Sequence, residues 1–310
     1  MVQEIAQPSV NFRQNGQSTS FGRYQAFMGL LFVAPAMILF IVFTVLPAVT
    51  AFGLSFTDYD VLTETEWVGL LNYQRLTTDA LFQITLRNVA TYALIYVPAI
   101  IVISLTVALA LNRKRPGMKF FRMIYYLPVI SSPVAAATVW LWVLNKDYGV
   151  LNQIIGIFGL RGPAWVADIN TAMLAIVLVT LWQGLGGNMV IYLAGLQGIP
   201  EYLYEAARLD GADNWQLFRY ITLPALRTTT FLVTTLSLIG AFQLFDQAYV
   251  LTQGGPANAT RTIVYQIWEV GFNRLRMGYA SAMAVVLFVI IFIVTMINLR
   301  LNNEQNMVSE

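Results

Sequence analysis

Charged residues are clustered along this chain, and the gaps between the clusters are long. Uncharged stretches cover residues 24–57, 88–112, 123–145, 169–200, 228–245 and 277–299. Each matches or exceeds the roughly 18 apolar residues that make a transmembrane candidate. The fifth is the shortest, but past the lone Asp246 it continues to Ala259. The pattern predicts six helices, over about 27–53, 89–111, 123–144, 171–194, 228–250 and 278–300. Prolines fall inside several of them: Pro35, Pro47, Pro98, Pro128 and Pro133. Each removes a backbone donor and is expected to kink its helix.

Composition supports immersion in lipid. Hydrophobic residues make up 57% of the 310 and charged residues 11%, against about 25% charged in a soluble domain. So few charges cannot cover a water-exposed surface. The net charge of +2 gives no reason to expect nucleic acid as a partner. The first 22 residues are polar and lack an apolar core, so the first span is expected to act as an uncleaved insertion signal.

Six spans place both termini on one side. Lys and Arg number eleven on that side and seven on the other. The short second loop decides the orientation, with Arg113, Lys114, Arg115, Lys119 and Arg122 and no acid. Both termini are therefore expected in the cytoplasm. Residues 1–24 form a polar cytoplasmic tail, 25–301 the transmembrane domain and 302–310 a second cytoplasmic tail.

Several chemistries are excluded. The chain has no Cys and no His, which removes disulfides, thiolate or imidazole metal ligands and the Ser-His-Asp triad. Its only lysines are Lys114, Lys119 and Lys146, and none follows a glycine, so no phosphate-binding GxxxxGK[ST] loop exists. With no paired carboxylates in a span, a pore or permease fits better than an integral enzyme. No cofactor is expected on this chain.

The fourth loop carries the most information. Pro200 suits a first helical turn, Glu201 and Glu205 lie near its positive end, and Gly211 is a natural stop. Arg208 stands three residues after Glu205 and is placed to pair with it. A short helix of about seven to ten residues, roughly 10–15 Å long, results. Asp213 is expected to cap a second short helix with Trp215, Leu217, Phe218 and Ile221 before Pro224. Ala206 and Ala207 keep one face of the first helix shallow enough for another protein's backbone to approach.

The spacing Glu205-Ala206-Ala207, Gly211, Ile221-x-Leu223-Pro224 resembles the EAA motif of permease subunits of binding-protein-dependent ABC importers. Phe245-Asp246, the run Tyr249 to Pro256, Gly278-Tyr279-Ala280, Tyr148 to Asn152 and Ala164-Trp165 resemble the maltose-type, carbohydrate-uptake branch. The resemblance covers roughly residues 25–300. The maltose permease's extra N-terminal spans and large outer insertion are missing. It implies an all-α membrane protein, a six-helix bundle of the type I importer permease kind, with a cytoplasmic coupling helix between helices 4 and 5 (segment about 199–224). It also implies partners: a second permease subunit, two ATP-binding subunits holding ATP and Mg, and an extracytoplasmic sugar-binding protein. The expected location is a bacterial plasma (inner) membrane. Glu205 and Gly211 would be the main coupling residues.

The substrate path is expected along polar positions within spans. On span four these are Thr180, Gln183, Gly184 and Asn188, with Gly184-Leu185-Gly186-Gly187 expected to loosen the helix and to allow close packing or unwinding. On span five they are Gln243, Leu244 and Asp246, the last either solvated near the outer mouth or paired with Arg261 or Arg274. Amides suit sugar hydroxyls because both donate and accept. Thr180, Gln183, Gly184, Gln243 and Leu244 are the positions that the resemblance to the maltose permease places near sugar. No Lys or Arg lies inside a span, which favours a neutral sugar. Two alternatives remain open: the same architecture importing glycerol phosphate or another small solute, and a stand-alone secondary transporter or channel.

Overall fold

A computed structural model of the chain describes residues 19–62, 64–113 and 115–307. The tail before Thr19, with Arg13, lies outside the described residues, as do Lys114 of the basic loop and residues 308–310. The chain forms two compact units, Met1–Thr50 and Ala51–Glu310.

The first unit contains α1 (Thr19–Phe40) and a π turn (Ile41–Val45), and α2 (Leu46–Leu54) follows in sequence. The π turn stands just before Pro47. Leu46 N–H bonds back to the Ile41 carbonyl, five residues away. A proline ring crowds the carbonyl four residues earlier and offers no N–H. Widening the preceding turn relieves both problems without ending the helix.

In the second unit, β1 (Thr57–Asp58) pairs antiparallel with β2 (Glu66–Trp67). Then come α3 (Leu71–Thr78) and α4 (Ala80–Leu111). Asp79 caps α4, accepting from the N–H groups of Leu81 (2.8 Å) and Phe82 (3.2 Å). Its other oxygen accepts from the Tyr279 hydroxyl at 2.7 Å. Arg122 closes the far end of α4 by donating to the Leu111 carbonyl at 2.8 Å, a cation at the negative end of a helix dipole.

The third predicted helix, 123–144, is two helices. α5 (Met118–Ile130) and α6 (Pro133–Val143) meet at 101°. Pro133 disfavours helical backbone at the residue before it, and Ser131 and Ser132 are both extended (ψ 146° and 130°). Pro98, by contrast, sits inside an unbroken α4.

After α7 (Val150–Ile157) comes α8 (Ile169–Gln197), which packs along α4 and against α5. The glycine run of α8 does not loosen it; the helix is continuous. Its effect is close packing. A Cβ on Gly186 would stand 2.2 Å from the Tyr125 carbonyl oxygen of α5. Ile100, Ile176, Val179, Met189 and Tyr192 are fully buried around the α4–α8 seam.

α12 (Arg227–Phe242) packs on α4 and α14 (Met277–Met307). The expected helix 228–250 stops at Phe242, and the chain regains helical form at Asp246, running on into a π turn (Ala248–Thr252). The Thr262 hydroxyl, from the loop before α13 (Ile263–Trp268), donates to the Leu244 carbonyl at 2.7 Å. That bond takes an acceptor the helical ladder would otherwise use. Among the described residues four single helices are long and apolar enough to cross a membrane, or up to six if each of the two bent pairs counts as one span.

Candidate functional site

Between α8 and α12 the chain folds into an elbow. α9 (Glu201–Leu209) begins after Pro200, whose extended backbone (ψ 131°) starts it. It ends in a Schellman turn. Gly211 sits at φ +85°, Ala212 N–H donates to the Ala207 carbonyl (2.9 Å) and Gly211 N–H to that of Arg208 (3.1 Å). Positive φ at this point favours glycine. α10 (Asn214–Leu217) opens with a reciprocal capping box: Asp213 accepts from Gln216 N–H and Gln216 Oε1 from Asp213 N–H, each at 2.8 Å. A π turn (Phe218–Thr222) and α11 (Leu223–Ala225) follow. This turn again stands just before a proline, Pro224.

The elbow is braced. Tyr204 and Thr222 share a hydroxyl hydrogen bond of 3.0 Å between α9 and the π turn. Its outer surface is apolar and uncovered within this chain: Tyr202, Leu209, Trp215 and Tyr220 are 65%, 89%, 68% and 75% exposed. Glu205 and Ala206 are also exposed. The anticipated Glu205–Arg208 ion pair does not form among the described residues. Ala207, Gly211 and Ile221 line a cleft of about 280 Å³ with Gln216 and Tyr220. Leu223 and Pro224 face a different groove, on the α14 side. The expected coupling residues therefore fall into three sets: two open on α9, three in the cleft and two behind it.

A second polar cluster lies along α8. Gln247 Nε2 donates to Gln183 Oε1 at 2.8 Å, and Gln183 Nε2 reaches the Ser131 carbonyl at 3.4 Å. This joins α8, the return after α12 and the bend between α5 and α6. The Trp140 and Trp182 rings meet edge-on nearby in sequence, with centroids 5.6 Å apart. Of the residues expected on the path, Gln183 is at the centre and Gly184 lies beside the Tyr96 hydroxyl. Thr180 is buried and donates to its own helix at the Ile176 and Val177 carbonyls. Asn188 likewise bonds the Gly184 carbonyl at 3.0 Å. Leu244 is buried and Gln243 exposed. Gln247 and Ser131 were missed. Gln247 lies four residues after Gln243, across the non-helical stretch that follows Phe242, so helical spacing along the sequence does not point to it.

Asp246 is half-buried. The arginines expected beside it are taken: Arg261 and Arg274 (2.8 Å) both pair with Glu269. Asn88 anchors this region by donating to the carbonyls of Asn258 (2.7 Å) and Arg261 (3.0 Å). The Tyr148–Asn152 motif is also a structural clamp. Asn152 accepts from Trp165 Nε1 at 2.7 Å and donates to the carbonyls of Lys146 and Pro163. Among the described residues no cluster of His, Cys, Asp and Glu is placed to hold a metal.

The family model described as binding-protein-dependent transport system inner membrane component matches residues 100–305. The chain is 36% identical over 274 residues to the probable ABC transporter permease protein YesP of Bacillus subtilis, covering 87% of this chain and 88% of that one. It is 34% identical over 302 residues to the arabinooligosaccharides transport system permease protein AraP of Halalkalibacterium halodurans, covering 96% and 94%. Among solved structures, it superposes on a chain of a bacterial ABC transporter involved in the import of the acidic polysaccharide alginate. The TM-score is 0.81 at 21% identity, over 92% of this chain and 98% of that one.

Proposed function

The chain belongs to the family of binding-protein-dependent transport system inner membrane components, and on that premise we propose that it is the pore subunit of an ATP-driven importer of a sugar or oligosaccharide. It works with a second permease chain, two ATP-binding subunits carrying ATP and Mg, and an extracytoplasmic binding protein. It sits in a bacterial inner membrane with both termini in the cytoplasm. It does not itself hydrolyse ATP.

One observation carries this reading: the α9–α10 elbow is braced by its own hydrogen bonds and leaves large apolar side chains bare. Tyr202, Leu209, Trp215 and Tyr220 fit a cleft on an ATP-binding subunit, with Glu205 adding a charge contact. Such side chains in a stand-alone channel would have no partner to cover them. Closure of the two ATP-binding subunits then moves the elbow as a lever, and the bend at Ser131–Ser132 and the break after Phe242 let the spans follow.

The sugar class is supported by the relative that carries arabinooligosaccharides and by the uncharged amides of the span cluster. Gln183 and Gln247 hold each other in this conformation. Parting them frees a donor and an acceptor for a sugar hydroxyl.

Reconstitution in vesicles tests the assignment. Uptake of labelled oligosaccharide is expected only when permease, ATP-binding subunits and binding protein are all present with ATP. Glu205→Lys and Gly211→Pro are expected to insert normally and to lower uptake on the order of tenfold or more, the factor that about 1.4 kcal/mol represents. Wild-type uptake by both variants would remove the coupling role.

A further inference from the structure

The groove behind the elbow is used by nothing described so far. It has a volume of about 350 Å³ and lies between α12 and α14, within the roughly 300–1,000 Å³ of small-molecule sites. Arg219 and Arg227 stand at its edge; Leu223, Phe231 and Leu301 are apolar lining, and Thr230, Thr234 and Asn298 complete it. Among the described residues no acidic side chain lines it. Among the described residues neither arginine has an ion-pair partner.

Along α12 the lining passes from a charged residue to an apolar one and then to a hydroxyl. Arg227 begins α12. Phe231 follows one turn later, about 6 Å along the axis at 1.5 Å per residue, and Thr234 about 10 Å along. The deeper hydroxyl is already spent, since Thr234 donates to the Thr230 carbonyl at 2.7 Å. Asn298 likewise donates to Thr235 Oγ1 at 2.8 Å. Two guanidiniums with no ion-pair partner among the described residues therefore lie at the interfacial end, and a slot offering few free donors runs inward from them.

We propose that this groove seats an acidic phospholipid of the cytoplasmic leaflet, its phosphate on Arg219 and Arg227 and an acyl chain against Phe231 and Leu301. The assignment rests on the cytoplasmic orientation proposed above. The charge complement selects an anionic headgroup, and guanidinium forks match phosphate oxygens in pairs. The apolar part of the lining separates a lipid from free phosphate, which would leave Phe231 and Leu301 uncovered. The groove shares Leu223 and Pro224 with the elbow's own motif, so its occupant abuts the segment that moves during transport.

The test uses the purified transporter complex in detergent, with bound lipids read by native mass spectrometry. It is titrated with dioctanoyl phosphatidylglycerol, dioctanoyl phosphatidylcholine or inorganic phosphate. Wild type is expected to hold phosphatidylglycerol in preference to the other two. The double variant Arg219→Gln/Arg227→Gln should lose roughly 30-fold in that affinity, at about five-fold for each basic side chain facing an acidic lipid. Arg219→Lys/Arg227→Lys should recover most of it, which separates lost charge from misfolding. Equal binding of both lipids, displacement by millimolar phosphate, or an unchanged double variant would overturn the proposal. So would release of the ATP-binding subunits with lipid binding intact, because the arginines would then serve a protein contact. The measurement needs no transport, so failure of the importer reading shows separately, in the vesicle uptake assay.

Discussion

At the scale of single residues, several positions that look functional prove to be fasteners. Tyr279 lies in the Gly-Tyr-Ala motif, yet its hydroxyl binds the carboxylate that caps α4, 200 residues away in the chain. A hydrogen bond to a charged group contributes about 1.5–3 kcal/mol. Tyr279→Phe is therefore expected to lower the thermal midpoint of the purified protein while leaving the affinity for substrate unchanged. Asn152 behaves similarly and ties three parts of its loop. Gln183 is the opposite case. Gln183→Leu removes a side chain that makes one good hydrogen bond, worth about 0.5–1.5 kcal/mol. If a sugar hydroxyl uses the same amide, the variant raises the KM for uptake by roughly two- to tenfold with little loss of assembly. An unchanged KM would move the substrate path elsewhere. The amide at 183 was visible in the sequence because polar groups are rare inside spans. Its partner Gln247 was not, because the break at Leu244 resets the helical register between them.

At the scale of elements, local rules and tertiary demands compete, and the outcome differs from site to site. Three X-Pro steps illustrate this. Pro133 opens a new helix after a 101° bend, Pro47 follows a widened turn, and Pro98 sits inside an unbroken helix. The proline alone fixes only the missing N–H. Whether the chain bends depends on what receives the freed carbonyl and on the residues before the ring, two serines in the case of Pro133. The glycine run of α8 is a packing device and not a hinge. Gly186→Ala would drive a methyl into backbone, since the Tyr125 oxygen is 2.2 Å from the Cβ position. Overpacking of this kind costs about 1–3 kcal/mol. The expected result is a lower thermal midpoint and a lower yield of intact complex. Gly187→Ala, whose Cβ would meet its nearest neighbour at 3.9 Å, is the control and should be near neutral.

At the scale of the whole molecule, the chain exposes two kinds of apolar surface. Long, uncharged helices belong in lipid. The elbow cannot, because Glu201, Glu205, Arg208 and Asp210 surround its bare aromatic and leucine side chains. A surface of that mixed kind calls for a protein partner. The chain alone in vesicles should therefore give no ATP-dependent flux, and an ion gradient should drive none. Gradient-driven flux from the chain alone would restore the stand-alone transporter as the better account.

The sequence by itself determined the long apolar stretches, the rough positions of the spans, a short helix after Pro200 ending near Gly211 and the family motif. All of these follow from composition and spacing within about thirty residues, the range over which hydropathy and capping act. Tertiary structure decided where spans three and five break, which amides meet, and that Arg261 and Arg274 pair with Glu269 instead of Asp246. It also brought Arg219 and Arg227 to the edge of one groove with Leu301 of the last helix. Those outcomes depend on which distant hydroxyl, carbonyl or carboxylate arrives first at a given donor, and no local pattern along the chain encodes that competition.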